Sequence, residues 1–266
     1  MFREERMSQL LAHLGQEGQL RVGNAASLFG VSESTIRLDL QELEERGLVQ
    51  RTHGGAILTS LARSGTMKYL AMGIEERLVA NRDAKKAIGE LAASLIQDGE
   101  TIMIDGGSTA RYVAYHLRSK QRLTIVTHIV DIYPDLIGME GDFRVVLTGG
   151  ELDKNEMILV GEEAPLIVSR YRASKAVLGI DGLSISLGLT TQDVHAPLKK
   201  AMMTYSDQVV IVADSTKLGQ VSLVPVAMLD EIDYLVTDDR ADPHMVKEIE
   251  ALGVKVLVAP VTKLKD

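Results

Sequence analysis

Residues 25–55 read AASLFGVSESTIRLDLQELEERGLVQRTHGG, and this stretch decides the fold of the N-terminal part of the chain. Its spacing is typical of two helices joined by a tight turn at Gly30, where a positive φ is easiest for glycine. Ile36, Leu40 and Leu43 recur at i, i+4 and i+7, which gives the second helix one buried face.

The sequence also contains signals for the ends of these helices and for a hairpin after them. Ala26 is small where the two helices must cross closely, and Ser32 is placed to cap the second helix by accepting a backbone N–H. Gly47 ends that helix, and residues 48–53 lead into the glycines at 54 and 55 as a short hairpin would. The segment therefore predicts a helix-turn-helix followed by a small β-wing, a shape that enters DNA grooves. A plain helical hairpin is the structural alternative.

Two stretches, VSESTIRLDL at 31–40 and RTHGGA at 51–56, resemble the N-terminal signature of DeoR-type bacterial transcriptional repressors. The family pattern usually has two consecutive arginines in this helix, whereas here Leu38 follows Arg37. Counting about 100° per residue, Leu38 lies about 200° from Ile36 and so points toward DNA or solvent. It would either contact a thymine methyl or weaken phosphate binding and alter the operator.

The DNA contacts implied by this resemblance come from the recognition helix and the wing. They are Ser32, Ser34, Thr35, Arg37, Leu38, Arg51 and His53. Residues 1–57 carry six arginines and no lysine against eight acidic residues, a formal net charge of −2, whereas DNA-binding modules are typically basic. Arg21, Arg37 and Arg51 would form a local basic strip, and pairing through a larger domain would supply avidity for two half-sites.

Beyond residue 57 the pattern changes to alternating strands and helices. Residues 58–75 have no sustained period and are interpreted as a linker between an N-terminal domain, residues 1–57, and a larger domain, residues 76–266. Seven short apolar runs in the larger part are separated by segments long enough for helices, which predicts a mostly parallel sheet covered on both faces. The runs are residues 101–104, 123–126, 143–147, 175–178, 209–213, 234–237 and 255–258.

The loop at residues 105–109, DGGST, follows the first of these predicted strands, and open α/β sheets bind ligands at the carboxyl ends of strands. Glycines let a backbone approach a ligand, the N-terminus of a helix predicted over about residues 110–117 offers amide groups, and Ser108 and Thr109 add hydroxyls. The loop is therefore a candidate phosphate cradle. An ordinary strand-to-helix turn with a Ser/Thr cap is the alternative.

Three further loops follow strands, at residues 148–152, 179–182 and 214–217. Lys217 would meet a phosphate or sugar oxygen as a point charge. The alternatives are a surface lysine or a salt bridge to Asp214. His195, near the start of a helix predicted from about Asp193, would make ligand binding depend on pH near neutrality, or would be an exposed helix residue.

In this order and spacing the four loops resemble the effector-sensing domain of the DeoR family, and the resemblance covers essentially the whole chain. It implies an α/β fold: a small winged helix-turn-helix and a larger, mostly parallel α/β domain like those of ribose-5-phosphate isomerase and CoA transferases. It also implies a phosphorylated sugar as effector. The implied effector-binding residues are Asp105, Gly106, Gly107, Ser108, Thr109, Gly149, Gly150, Asp181 and Lys217. Where the family often shows a glutamate four residues before a lysine, this chain has His195 and Lys199.

Composition limits the other classes of function. The 266 residues contain no cysteine, which excludes disulfides and thiolate metal sites, and the six histidines lack the short spacings of metal ligands. No apolar run reaches the roughly 18 residues of a membrane span, and the N-terminus lacks a signal-peptide core. We therefore expect a cytoplasmic protein that binds no membrane and needs no cofactor or metal. The helix-turn-helix implies double-stranded operator DNA as a partner, and the need for two half-sites implies a homo-oligomer, a dimer or a tetramer.

The function that these features predict is a sequence-specific repressor of a carbohydrate operon, released from DNA by a sugar phosphate through a population shift. Two alternatives stay open. One is a sugar-phosphate isomerase or deaminase with an N-terminal extension, which the lack of an obvious catalytic glutamate near His195 opposes, so no catalytic residue is predicted. The other is an activator or architectural DNA binder, which differs only in promoter geometry.

Overall fold

The computed structural model describes residues 3–45, 49–58, 73–132, 136, 142–192 and 195–261. Its N-terminal elements are α1 (Arg3–Glu17), β1 (Gln19–Arg21), α2 (Val22–Phe29), α3 (Glu33–Glu45), β2 (Val49–Thr52) and β3 (Gly55–Leu58). The three strands form an antiparallel sheet in the order β1-β3-β2. This part of the chain is the predicted helix-turn-helix with its wing.

The helix-turn-helix forms because local signals agree with the packing. Gly30 ends α2 in the left-handed conformation with φ 64°, as the predicted turn requires. Ser32 Oγ accepts a hydrogen bond from the amide of Thr35 at 3.2 Å and so caps α3. The predicted apolar face of α3 is buried in a core that it shares with α1. The predicted end of α3 at Gly47 lies outside the described residues.

A buried ion pair, which no sequence pattern indicated, also fixes α3 against α1. Asp39 of α3 is only 1% exposed. Arg6 of α1 donates to both of its carboxylate oxygens, from Nε at 2.6 Å and from Nη2 at 3.1 Å. Because a buried charge without its partner is costly, this fork holds the recognition helix in one orientation.

The larger part of the chain alternates helices and strands. Its helices are α4 (Ile74–Val79), α5 (Arg82–Ser94), α6 (Ser108–Tyr115), α7 (Glu163–Val168), α8 (Ala196–Thr204) and α9 (Pro243–Ala251). Its strands are β4 (Thr101–Ile104), β5 (Thr124–Thr127), β6 (Arg144–Leu147), β7 (Glu151–Asp153), β8 (Ile158–Val160), β9 (Ala173–Gly179), β10 (Gly182–Ser184), β11 (Gly188–Thr191), β12 (Ser206–Val212), β13 (Val224–Ala227), β14 (Tyr234–Asp238) and β15 (Lys255–Ala259).

Seven of these strands form one parallel sheet in the order β15-β14-β12-β9-β4-β5-β6. They overlap the seven predicted apolar runs, which confirms the mostly parallel α/β fold. Two small antiparallel sheets, β7-β8 and β10-β11-β13, were not predicted. Their strands are only three or four residues long and carry no sustained apolar run.

The ends of the segment predicted as a linker, residues 58–75, carry regular structure. β3 extends to Leu58, and α4 begins at Ile74. Residues 59–72 lie outside the described residues. The division of the chain at residues 57 and 76 therefore stays a prediction.

Helices cover both faces of the parallel sheet. On one face, Ile88 of α5 and Val113 of α6 pack in the same core as Ile102 and Ile104 of β4. Met103, which lies between these two isoleucines, faces the other core, which contains side chains of α7, α8 and α9. With both faces covered, ligands have access to the carboxyl ends of the strands.

Gly89 allows α5 and α6 to pack closely, because a Cβ at this position would lie 2.6 Å from the carbonyl carbon of Tyr112. We expect Gly89→Val to lower the free energy of unfolding by about 2 kcal/mol, since the helices must separate to admit the side chain. Urea denaturation measures this change. Glu90→Ala, at an exposed position of the same helix, is the control and should change stability by less than about 0.5 kcal/mol. Equal midpoints for Gly89→Val and the control would contradict the tight packing.

Candidate ligand pocket and nucleic-acid interface

A polar pocket lies at the carboxyl ends of the central strands β4, β5, β9 and β12. Its lining includes every predicted effector residue except Gly149 and Gly150. These lining residues are Asp105, Gly106, Gly107, Ser108, Thr109, Asp181 and Lys217. Residues far apart in the sequence thus meet at the edge of the sheet where open α/β folds bind ligands.

Gly149 and Gly150, which the resemblance implies as effector-binding residues, are not among the residues that line this pocket. Both are exposed and lie outside the pocket lining. Their φ values are positive, 72° and 117°, and a Cβ on Gly150 would lie 2.3 Å from the carbonyl oxygen of Val160. These glycines serve the turn between β6 and β7 and its close approach to β8.

The loop between β4 and α6 brings a helix N-terminus to the pocket. α6 begins at Ser108, two residues earlier than predicted, because Gly107 is extended and the amide of Arg111 donates to its carbonyl oxygen at 3.1 Å. Ser108 and Thr109 therefore lie in the first helical turn. The backbone amides of a first turn are not used by the hydrogen bonds within the helix, and they favour an anion. Gly106 is needed for packing, since a Cβ there would lie 2.6 Å from Ile158.

Asp105 organises the floor of the pocket. Its Oδ2 accepts hydrogen bonds from the amide of Gly179 at 3.0 Å and from Lys199 Nζ, and its Oδ1 lies 3.3 Å from His128 Nε2. Burial raises the pKa of Asp105, but the positive charge of Lys199 and the contact with His128 outweigh burial and hold this pKa below its ordinary value. Asp105 is thus a charged residue whose oxygens are already engaged by the protein.

Asp181 and Lys217 form the opposite wall. Asp181 Oδ2 accepts from Thr191 Oγ1 at 2.9 Å and from the amide of Gln192 at 3.2 Å. Burial raises the pKa of Asp181, but Lys217 and Lys199 lower it below its ordinary value. Lys217 is buried and not a surface lysine. Burial lowers its pKa to about 8, although the charges of Asp181 and Asp214 act in the opposite direction.

His195 lines the pocket, so the alternative that it is an exposed helix residue is wrong. Burial and the charge of Lys199 together lower its pKa to about 4, against the opposing charges of Asp181 and Asp105. The imidazole is therefore neutral at neutral pH. A pH response near neutrality, which the sequence suggested for His195, is not expected from this position.

Arg77 of α4 is a pocket residue that sequence reasoning missed. It is buried, lines the pocket and forms an ion pair with Glu156, which also lines it. Lys85 holds the end of α4 by donating to the carbonyl oxygens of Arg77 and Ala80. No local motif marks Arg77, because its partner is distant in the sequence.

The recognition helix α3 presents a polar face opposite its buried side. Ser34, Arg37, Leu38 and Gln41 are exposed at i, i+3, i+4 and i+7, and Gln41 was not predicted. Arg37 Nη2 lies 2.6 Å from Glu33 Oε2 one turn earlier. This face has the spacing of a helix that reads a major groove.

The remaining predicted DNA contacts lie at the start of α3 and on the wing. Ser32 Oγ lies 2.7 Å from Ser34 Oγ and 2.8 Å from Thr35 Oγ1, so the three hydroxyls form one cluster. Arg51 and His53 are exposed on the wing. Glu44 of α3 accepts a hydrogen bond from the amide of Arg51 at 2.9 Å and so connects the wing to the recognition helix.

The described residues contain no group of His, Cys, Asp or Glu side chains that could hold a metal ion. No helix in this part of the chain has the length and apolar character needed to cross a membrane.

A winged helix-turn-helix together with an α/β unit that carries a polar pocket is the architecture of a transcription regulator with a sensor domain. The DeoR-like helix-turn-helix domain family matches residues 6–61, and the DeoR C terminal sensor domain family matches residues 80–239. The chain therefore belongs to the DeoR family of transcriptional regulators.

Individual relatives are similar over nearly the whole length. The HTH-type transcriptional repressor GlcR of Bacillus subtilis is 33% identical over 267 residues, covering 100% of both chains. The glycerol-3-phosphate regulon repressor of Escherichia coli is 31% identical over 239 residues, 90% of this chain and 92% of that one. Among solved structures, ribose 5-phosphate isomerase A from Methanocaldococcus jannaschii aligns with a TM-score of 0.37 and 18% identity over 52% of this chain and 55% of that chain.

Lys217 should make anion binding depend on pH. Its pKa of about 8 means that it is protonated at neutral pH and loses its charge above pH 8. A phosphate is already a dianion there, since its second pKa is about 6. We therefore expect the affinity for a sugar phosphate that binds this pocket to be steady between pH 7 and 8, and to fall by up to about tenfold per pH unit above 8. Isothermal titration calorimetry from pH 7 to 9.5 measures this.

Lys217→Arg is the matched control, because arginine keeps its charge throughout this pH range. The variant should bind without the decrease above pH 8. If the affinity of Lys217→Arg decreased in the same way, the decrease would be due to another group. Lys85 is one such group, because burial also lowers its pKa to about 8.

Proposed function

We propose that this protein represses a carbohydrate-metabolism operon and leaves its operator DNA when a phosphorylated sugar binds the pocket. The observation that carries the proposal is the pocket itself, which combines the N-terminus of α6 with the cations Arg77 and Lys217. A helix N-terminus and buried cations together favour a phosphate. The relatives named above as repressors, one of them of a glycerol-3-phosphate regulon, support the same conclusion.

The phosphate would lie on the cradle formed by residues 106–109. The hydroxyls of Ser108 and Thr109 and the amides of the first turn of α6 would donate to its oxygens. The rest of the sugar would extend toward Asp181 and Lys217. A carboxylate accepts hydrogen bonds from sugar hydroxyls, and the ammonium group donates to sugar or phosphate oxygens.

The pocket is suited to binding rather than turnover. General acids and bases work best when their pKa lies near the working pH. The pKa values of Asp105 and Asp181 are held below the ordinary carboxyl range, and that of His195 is about 4. Lys217, with a pKa of about 8, is the exception among these groups. Because the relatives are named as transcriptional repressors, we infer that the protein is not an enzyme.

A direct structural route would couple the pocket to the helix-turn-helix. The residues after Lys217 are hydrogen-bonded to the β10-β11-β13 sheet, since the amide of Gly219 donates to the carbonyl oxygen of Leu183 in β10 at 2.8 Å. The amide of Ser222 likewise donates to Thr190 Oγ1 at 2.8 Å. The next residue, Leu223, packs against the hydrophobic core of the helix-turn-helix. A ligand that draws Lys217 toward its phosphate would shift this segment and disturb that contact.

Two operator half-sites would be bound by a homo-oligomer, a dimer or a tetramer, because one module with few basic residues binds weakly. A thermal-shift screen of sugar phosphates against their unphosphorylated parents tests the sensor. A ligand that binds only the folded protein raises the melting temperature. A shift with one phosphorylated sugar, absent with its parent, supports the proposal; no shift with any member of the panel contradicts it.

Arg37 should contribute directly to DNA binding. It is exposed on the outward face of α3, where its guanidinium can meet a base edge or a phosphate. We expect Arg37→Ala to weaken operator binding about tenfold or more, in line with the loss of about 1–3 kcal/mol for a specific arginine contact. Gel-shift titration measures this, with Arg118→Ala in the sensor part as control. Unchanged affinity would remove Arg37 from the interface.

Leu223 should transmit the effector signal. We expect Leu223→Ser to bind the effector with unchanged affinity while the effector no longer lowers operator affinity. The coupling factor, normally about 5- to 150-fold in allosteric proteins, would approach 1. Leu187→Ser is the control, because Leu187 is exposed in the turn between β10 and β11. A normal coupling factor in Leu223→Ser would show that the pocket and the helix-turn-helix are not coupled through Leu223.

A further inference from the structure

Leu38 is an apolar residue on a face of the recognition helix that is otherwise polar. Its side chain is 59% exposed, while Ser34, Arg37 and Gln41 surround it on the same face of α3. The buried side of the helix is complete without it, since Ile36, Leu40 and Leu43 supply the core contacts. Leu38 therefore contributes little to folding and is presented outward.

The neighbouring side chain does not cover Leu38. Arg37 extends along the helix to Glu33, with its Nη2 2.6 Å from the glutamate Oε2. A leucine has no donor for a phosphate, so Leu38 cannot position the protein on the DNA backbone as an arginine would. What it can contribute to a DNA complex is the burial of apolar surface.

The major groove offers one apolar group, the C5-methyl of thymine. We infer that Leu38 reads a thymine methyl in each operator half-site and is a specificity-determining residue of the interface. Arg37 and Gln41, on either side of it, have the side chains that pair with guanine and adenine edges. The inference rests on the proposed function, because it requires α3 to lie in the major groove of an operator.

The test begins with the full-length protein and a selection of bound sequences from a library of random DNA duplexes. Each thymine of the selected site is then replaced, one at a time, by deoxyuridine. This change removes only the methyl group and leaves base pairing intact. Synthetic duplexes contain no methylated cytosine, so any methyl group detected belongs to thymine.

For the unaltered protein we expect one thymine per half-site at which deoxyuridine weakens binding about fourfold, the factor that corresponds to burying one methyl group. Leu38→Ala should bind the thymine duplex several-fold more weakly and should no longer distinguish thymine from deoxyuridine at that position. Its melting temperature should be unchanged, because Leu38 is exposed.

Leu28→Ala is the matched control, since Leu28 is also 59% exposed but lies on α2. It should keep the fourfold preference for thymine. Tolerance of deoxyuridine at every position, or an unchanged preference in Leu38→Ala, would overturn the inference and leave the repressor proposal intact. Failure to select any sequence would overturn the repressor proposal and this inference with it.

Discussion

The ligand pocket depends on one buried carboxylate, that of Asp105. It connects the end of β4 to the amide of Gly179 at the end of β9, to Lys199 of α8 and to His128 after β5. Four separate elements are thereby held at fixed distances around one charge. A buried carboxylate is stable only with such partners, so the requirement that Asp105 be satisfied determines the geometry of the cradle that follows it.

The buried cations of the pocket bear on the phosphate that we propose as part of its ligand. Arg77 is paired with Glu156, and Lys217 lies in the field of Asp181 and Asp214. Both cations are buried, and burial lowers the pKa of Lys217 although the charges of Asp181 and Asp214 act in the opposite direction. A phosphate dianion would place negative charge beside these cations, whereas an unphosphorylated sugar would not. We infer that this difference would favour a phosphorylated sugar over its parent.

A structural feature could be predicted from the sequence when the residues that produce it lie close together in the chain. The helix-turn-helix was predictable because the glycine turn, the Ser32 cap and the buried stripe of α3 are local. The parallel strands were predictable because strands covered on both faces are continuous apolar runs. Arg77 and Glu156 were not, since they are 79 residues apart and only the fold brings them together. The resemblance implies Gly149 and Gly150 as effector residues, but a glycine pair after a strand has the same sequence signature in a turn as in a ligand-binding loop.

The charge of the chain bears on how release from DNA works. The formal net charge is −8, and two arginines that we expect to contact DNA already have acidic partners, Arg37 with Glu33 and Arg51 with Glu44. DNA phosphates would have to replace these carboxylates, so each module would gain less from phosphate contacts than a strongly basic one. In the proposed oligomer, operator binding would depend on two modules acting together, and an effector that disturbs their arrangement would remove most of the avidity. A coupling of about 1–3 kcal/mol, ordinary for an allosteric protein, is enough to empty such an operator.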